Sequence, residues 1–122
     1  MADTKRKMAA WVPPIVDDAF LQEMTKVIVE TVHPDEVMLF GSRARGDHQV
    51  DSDMDLMVVL PDSEEVAHDR RKISGSLYRA LSHFLIPKDI LIYSSTEAAR
   101  KKLDRFSVVN RAYAEGRCLY AR

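Results

Sequence analysis

Residues 36–60 read EVMLFGSRARGDHQVDSDMDLMVVL, and this stretch decides the fold. Two apolar runs stand on either side of a polar segment that holds two glycines and two arginines, and Pro61 follows the second run. Short runs of large apolar residues that end at glycine or proline are typical of buried strands. The stretch therefore predicts strands over residues 36–40 and 53–60, joined by a polar loop.

Helical patterns surround these two strands. Apolar residues recur at three- and four-residue steps from Ile15 to Val32, which is the pattern of an amphipathic helix, and His33-Pro34 ends it. Ser63 is a predicted cap of a second long helix over residues 63–84. Its expected buried line consists of Ile73, Leu77, Leu81 and Leu85. The further predictions are a strand over residues 88–93, helices over residues 96–103 and 106–115, and a short apolar tail over residues 118–120.

Length and composition indicate one soluble globular domain. The 122 residues can bury a single core, so we expect one domain over residues 1–122, with residues 1–12 as a flexible N-terminal flank. A net charge of −1 argues against a protein that coats nucleic acid, although it leaves room for a local basic patch. The single cysteine suits a reducing compartment, and no apolar run reaches the roughly 18 residues of a membrane span. We therefore predict a cytoplasmic protein with no membrane partner.

Two carboxylates stand at the start of the second strand. Residues i and i+2 of a strand face the same side about 6.5–7 Å apart, so Asp53 and Asp55 are expected to project together. Like charges aimed at one spot repel each other unless a cation lies between them, and Mg²⁺ prefers such hard oxygen ligands. Asp89, at the start of the third strand, adds a third acid if that strand pairs beside the second. Bridging two Mg²⁺ ions of the kind used in phosphoryl transfer needs at least three acids, and Asp89 is then the expected ligand of the activating ion.

Phosphate-binding groups precede these acids. Gly41 allows a close backbone approach to phosphate and Ser42 adds a hydroxyl donor. Arg43 and Arg45 follow, and guanidinium groups bind phosphate oxygens in a two-pronged way. Each feature alone is commonly structural, because acid pairs often cap helices and arginines in polar loops are often solvated. Their order along one chain, however, serves a single reaction.

The motifs Gly41-Ser42-Arg43-Ala44-Arg45-Gly46 and Ser52-Asp53-Met54-Asp55-Leu56 resemble the signature of the DNA polymerase β-like nucleotidyltransferase superfamily. The chain is as small as members of the minimal nucleotidyltransferase (MNT) group of this superfamily. Its closing segment, residues 114–120, is similar to the end of many such domains. The resemblance implies an α/β (α+β) fold with a short mixed β-sheet flanked by helices. It also implies that ATP or another nucleoside triphosphate binds at the Gly-Ser turn. Asp53, Asp55 and Asp89 then correspond to the catalytic and metal-binding carboxylates, and a hydroxyl attacks the α-phosphate with loss of pyrophosphate.

The resemblance also implies a partner. MNT domains are often paired with a HEPN-domain toxin in bacterial or archaeal toxin–antitoxin modules, where the MNT member is the antitoxin and transfers AMP onto a tyrosine of the toxin. On this basis we expect a hetero-oligomer with a HEPN toxin, and on the basis of the net charge we expect no direct binding of nucleic acid. Two alternatives stay open: transfer to a small hydroxylated compound such as an aminoglycoside, and a non-catalytic module that neutralises a partner by covering its active site.

Overall fold

The computed structural model describes residues 12–122. The predicted flexible flank lies outside the described residues apart from Val12, whose side chain is exposed. Along residues 12–122 the helices are α1 (Asp18–Val32), α2 (Ser42–Arg45), α3 (Glu64–His68), α4 (Arg70–Ala80), α5 (Ser95–Lys102) and α6 (Val108–Glu115), and the strands are β1 (Glu36–Phe40), β2 (Met54–Leu60), β3 (Lys88–Ser94) and β4 (Arg117–Ala121). None of the helices in this described range is long and apolar enough to cross a membrane.

The strands form one mixed sheet in the order β3-β2-β1-β4. β1 runs antiparallel to both β2 and β4, whereas β2 and β3 are parallel. The predicted α+β fold with a short mixed sheet flanked by helices is therefore confirmed. The apolar tail expected over residues 118–120 is part of an edge strand instead, because its backbone pairs with β1 after Gly116 ends α6.

The core lies on both faces of the sheet because the side chains of each strand alternate between them. On one face, Leu39, Leu56 and Val58 pack in a large apolar cluster with residues of α1 and α4. On the other face, Met38, Met57 and Val59 pack against Ala98, Val109 and Ala112 of α5 and α6. The central strands are thus buried on both sides, which explains their nearly continuous apolar sequence.

The first helix is shorter than predicted. It begins at Asp18 rather than at Ile15, because the Asp17 carboxylate accepts a hydrogen bond from the Phe20 N–H (2.9 Å) and caps the helix there. Ile15 precedes this cap and is 82% exposed, so it does not belong to the buried stripe. The predicted end at His33 is confirmed, and His33 adopts the left-handed conformation with φ of 50°.

The predicted single helix over residues 63–84 is wrong, since two helices meet at Asp69. The guanidinium of Arg70 folds back onto the Val66 carbonyl, with Nη2 at 3.2 Å, and also pairs with Glu97 of α5. The predicted Ser63 cap is confirmed by a bond from the Val66 N–H. Because α4 ends at Ala80, helical spacing does not continue to Leu85, which is 64% exposed. Phe84 and Ile86 occupy the core instead.

Candidate active site

The pairing of β2 with β3 brings two of the predicted acids together. Asp55 lies directly opposite Asp89 in the parallel register, so both side chains leave the sheet on the same face. The Met54 N–H donates to the Pro87 carbonyl (2.8 Å), which ties the entrances of the two strands together. Asp53 comes just before β2 and is exposed. The strand pairing predicted from the sequence is therefore confirmed.

Asp55 is the acid most affected by its surroundings. Partial burial raises the pKa of its carboxyl group, and the negative charges of Asp89 and Asp53 raise it further, while the positive charge of Arg45 opposes them. Both neighbouring acids are thus close enough to disfavour ionisation of Asp55. A cation among the three carboxylates would relieve this repulsion.

The donor set fits Mg²⁺. Carboxylate oxygens are the hard ligands that Mg²⁺ binds, and this ion commonly takes only one or two carboxylates besides water and substrate phosphates. Within residues 12–122, no three acidic, histidine or cysteine side chains already surround a single point at metal-binding distances. The chain thus supplies an acidic edge that phosphate oxygens and water would complete, rather than a closed metal cage. The predicted number of two ions stays a prediction.

The turn after β1 is built against Asp55. Gly41 has φ of 73° and ψ of −158°, a conformation that residues with a Cβ rarely adopt. A Cβ at this position would lie 2.2 Å from Asp55 Oδ2, so only glycine lets the turn and the carboxylate coexist. Ser42 then opens the single-turn helix α2, whose first N–H groups have no acceptor within the helix. This geometry suits the predicted phosphate role of the turn.

The two arginines have different surroundings. Arg43 donates from Nε to the Ser52 carbonyl and from Nη2 to the Val50 carbonyl, both at 3.1 Å, and so ties the polar loop to α2. Arg45 forms ion pairs at 3.2 Å with Asp47 and with Glu115 at the end of α6. These contacts raise the pKa of Arg45, which stays charged beside Asp55. Their predicted contact with phosphate stays a prediction for both arginines.

One member of the site has no local signal in the sequence. Glu115 lies 70 residues after Arg45 and reaches it because Gly116 turns the chain from α6 into β4 beside β1. No spacing rule links residues so far apart. The contact emerges only from the packing of α6 on the sheet.

Comparisons with known proteins support the assignment of this region. The profile of the family described as nucleotidyltransferase domain matches residues 21–114, which are 94 of the 122 residues. A crystal structure of a Sulfolobus solfataricus protein, provisionally assigned as a nucleotidyltransferase, shares 23% identity, with 86% of this chain and 84% of that chain covered and a TM-score of 0.51. A crystal structure of a toxin–antitoxin with AMP-PNP shares 21% identity, with 83% and 73% covered and a TM-score of 0.49.

These similarities have different weights. The Sulfolobus solfataricus structure shows the fold alone, and the lower TM-score of the toxin–antitoxin structure adds no argument to it. The comparison with curated protein sequences found no match. The family profile, in contrast, covers β1, β2, β3 and the turn that lies against Asp55. The chain therefore belongs to the nucleotidyltransferase domain family.

Proposed function

We propose that this protein is a Mg²⁺-dependent nucleotidyltransferase that transfers AMP from ATP to a hydroxyl group of a partner protein. The observation that supports the proposal is that three parts of the chain lie beside one another at one edge of the sheet. Asp55 lies opposite Asp89 on the neighbouring strand, and the Gly41 turn approaches the Asp55 carboxylate so closely that no side chain fits between them. Such an edge combines acids for a metal with backbone groups for phosphate.

In the proposed reaction the acceptor hydroxyl oxygen attacks the α-phosphorus and a new P–O bond forms. The bond between the α-phosphorus and the oxygen bridging to the β-phosphate breaks, and pyrophosphate leaves. Asp89 would take the proton of the attacking hydroxyl, while Asp53 and Asp55 would hold the metal ions at the triphosphate. Mg²⁺ would neutralise the charge that develops on the phosphate oxygens. The Ser42 hydroxyl and the first two N–H groups of α2 would hold the triphosphate, with the positive charge of Arg45 nearby.

The choice of a protein acceptor rests on two observations. Asp53 and Asp89 are exposed, so the acidic edge is open to a large acceptor. All helices among residues 12–122 pack on the sheet or on each other, and this range contains no additional helical unit that would enclose a small acceptor. The resemblance to MNT domains adds the class of partner, a HEPN toxin, which the transfer would inactivate. The protein would then act as an antitoxin.

Label transfer tests the proposal. The purified chain is incubated with Mg²⁺, the product of the adjacent gene and ATP labelled at the α-phosphate, and in parallel with ATP labelled at the γ-phosphate. We expect the α label, but not the γ label, on a hydroxyl side chain of the partner. The double variant Asp53→Asn, Asp55→Asn should abolish transfer. Asp51→Asn removes another exposed acid of the same loop and should leave transfer intact.

Other outcomes favour the alternatives. Label on an aminoglycoside but never on protein would indicate a small acceptor. A non-catalytic binding module is indicated if the unchanged chain transfers no label and the double variant still inhibits the partner. Transfer that persists in the double variant would contradict the placement of the site.

A further inference from the structure

We propose that Tyr78 is a positioning residue for Asp89, and that it acts by holding the free edge of β3. This inference rests on the proposed catalytic role of Asp89. The Tyr78 hydroxyl accepts a hydrogen bond of 3.0 Å from the backbone N–H of Ile90, the residue directly after Asp89. Tyr78 is on α4, next to Leu77, which is fully buried in the core. A rigid helix therefore holds the strand at the site.

An edge strand needs such a contact because half of its backbone groups have no neighbouring strand. Among residues 12–122, β3 pairs only with β2, and successive N–H groups of a strand point to opposite sides. The Ile90 N–H is on the side away from β2, where Tyr78 replaces the missing strand. Without the hydroxyl, this N–H loses its protein partner, although the Ile92 carbonyl further along β3 still accepts a hydrogen bond from Arg70 Nη1 (3.4 Å).

Three hydrogen bonds hold the start of β3 near Asp89. On the inner side, the Met54 N–H donates to the Pro87 carbonyl (2.8 Å). Just before the acid, the Lys88 Nζ donates to the Phe84 carbonyl (3.0 Å) and ties the strand to the segment that follows α4. The Tyr78 contact completes this set on the outer side. The main chain of Asp89 is thus held from both sides at the point where its carboxylate faces Asp55.

Precise placement matters for Asp89 because catalytic groups must be held to within about 0.5 Å of their productive position. Tyr78→Phe keeps the ring and removes only the oxygen that accepts the bond. We expect kcat to fall about fivefold, the equivalent of one neutral hydrogen bond. The affinity for ATP should be unchanged, because Gly41, Asp53 and Asp55 are untouched. We therefore expect kcat to fall while the KM for ATP stays unchanged.

A double-mutant cycle tests whether the effect passes through Asp89. The rates of Tyr78→Phe, Asp89→Asn and the combined variant are measured against the unchanged chain. If Tyr78 acts by positioning Asp89, the combined variant is no slower than Asp89→Asn alone. Equal slowing in both backgrounds, or an unchanged kcat in Tyr78→Phe, would overturn the proposal.

Tyr113→Phe is the matched control. It also removes a tyrosine hydroxyl that forms a hydrogen bond, here with Glu36 at 2.5 Å. Glu36 pairs with Val59, four residues along β2 from Asp55 and thus about 13 Å away. The rate of this variant should be unchanged. Amide hydrogen exchange adds a direct check, since Ile90 should exchange faster in Tyr78→Phe but not in Tyr113→Phe.

The double-mutant cycle can also be measured by metal binding instead of by rate, so the role of Tyr78 can be tested even if the proposed reaction is wrong. If the unchanged chain transfers no label, the same variants are compared by Mn²⁺ affinity in the presence of a non-hydrolysable ATP analogue. If Tyr78→Phe weakens Mn²⁺ binding when Asp89 is present but not in the Asp89→Asn background, the result supports the positioning of Asp89 by Tyr78. Weakening of equal size in the Asp89→Asn background, or no weakening at all, overturns it.

Discussion

The substitution Gly41→Ala offers the sharpest test of how the site is built. The added Cβ would lie 2.2 Å from Asp55 Oδ2 and 3.1 Å from Asp55 Cγ, well inside van der Waals contact. These atoms belong to a side chain rather than to the main chain, so the carboxylate can turn away while the fold survives. The cost to folding is then mainly backbone strain at φ of 73°, about 2 kcal/mol.

The effect on function should be much larger than the effect on stability. The displaced Asp55 carboxylate would leave its position opposite Asp89, and a misplacement of about 1 Å at a catalytic group costs about 100-fold in rate. We therefore expect nucleotide transfer to fall by about 100-fold or more. Chemical denaturation measures the stability, and release of pyrophosphate measures the rate.

Gly46→Ala separates strain from steric displacement. Gly46 also has positive φ, 88°, but a Cβ there meets no atom within 4 Å. This variant should lose about 1 kcal/mol of stability and keep most of its activity. The reasoning is refuted if Gly41→Ala retains full transfer and Mn²⁺ affinity, or if Gly46→Ala is equally inactive.

Three further predictions concern charge and packing. Because the pKa of Asp55 is raised, ionisation of its carboxyl group destabilises the folded protein. This loss of stability is absent below the unfolded-state pKa of Asp55 and complete above its folded-state pKa. Asp55→Asn should therefore raise the free energy of unfolding of the metal-free protein at pH 7 and not at pH 3. Glu97→Ala removes a helix cap and the 2.8 Å ion pair with Arg70, so it should cost about 1 kcal/mol at pH 7. Since hydrogen bonding to Ser94 lowers the pKa of Glu97 below 4.5, that loss should vanish as the pH falls through its folded-state pKa, which a denaturation series between pH 7 and 3 would show. Leu56→Ala should lower the free energy of unfolding by about 3 kcal/mol because Leu56 is fully buried. Leu103→Ala, at an 86% exposed position, should change it by less than about 0.5 kcal/mol. Equal effects in denaturation would contradict the assigned core.

Several features were predictable because they depend on neighbours in sequence. The apolar runs of residues 37–40 and 56–60 indicated buried strands, and the i, i+2 spacing of Asp53 and Asp55 indicated a shared face. The caps at His33 and Ser63 follow from local hydrogen bonding in the same way. By contrast, helical spacing alone placed Leu85 in the core, because it did not show that α4 ends at Ala80.

The sequence by itself thus determined the class of fold, its first three strands and the motif that carries the family. Only the tertiary structure decided that Asp55 faces Asp89 in register, that Arg45 meets Glu115 and that Tyr78 holds β3. It also decided the break at Asp69, where Arg70 turns toward Glu97 on a distant helix. The physical reason is range: periodicity and capping depend on atoms within a few residues, whereas register and ion pairing depend on where the intervening chain places each element.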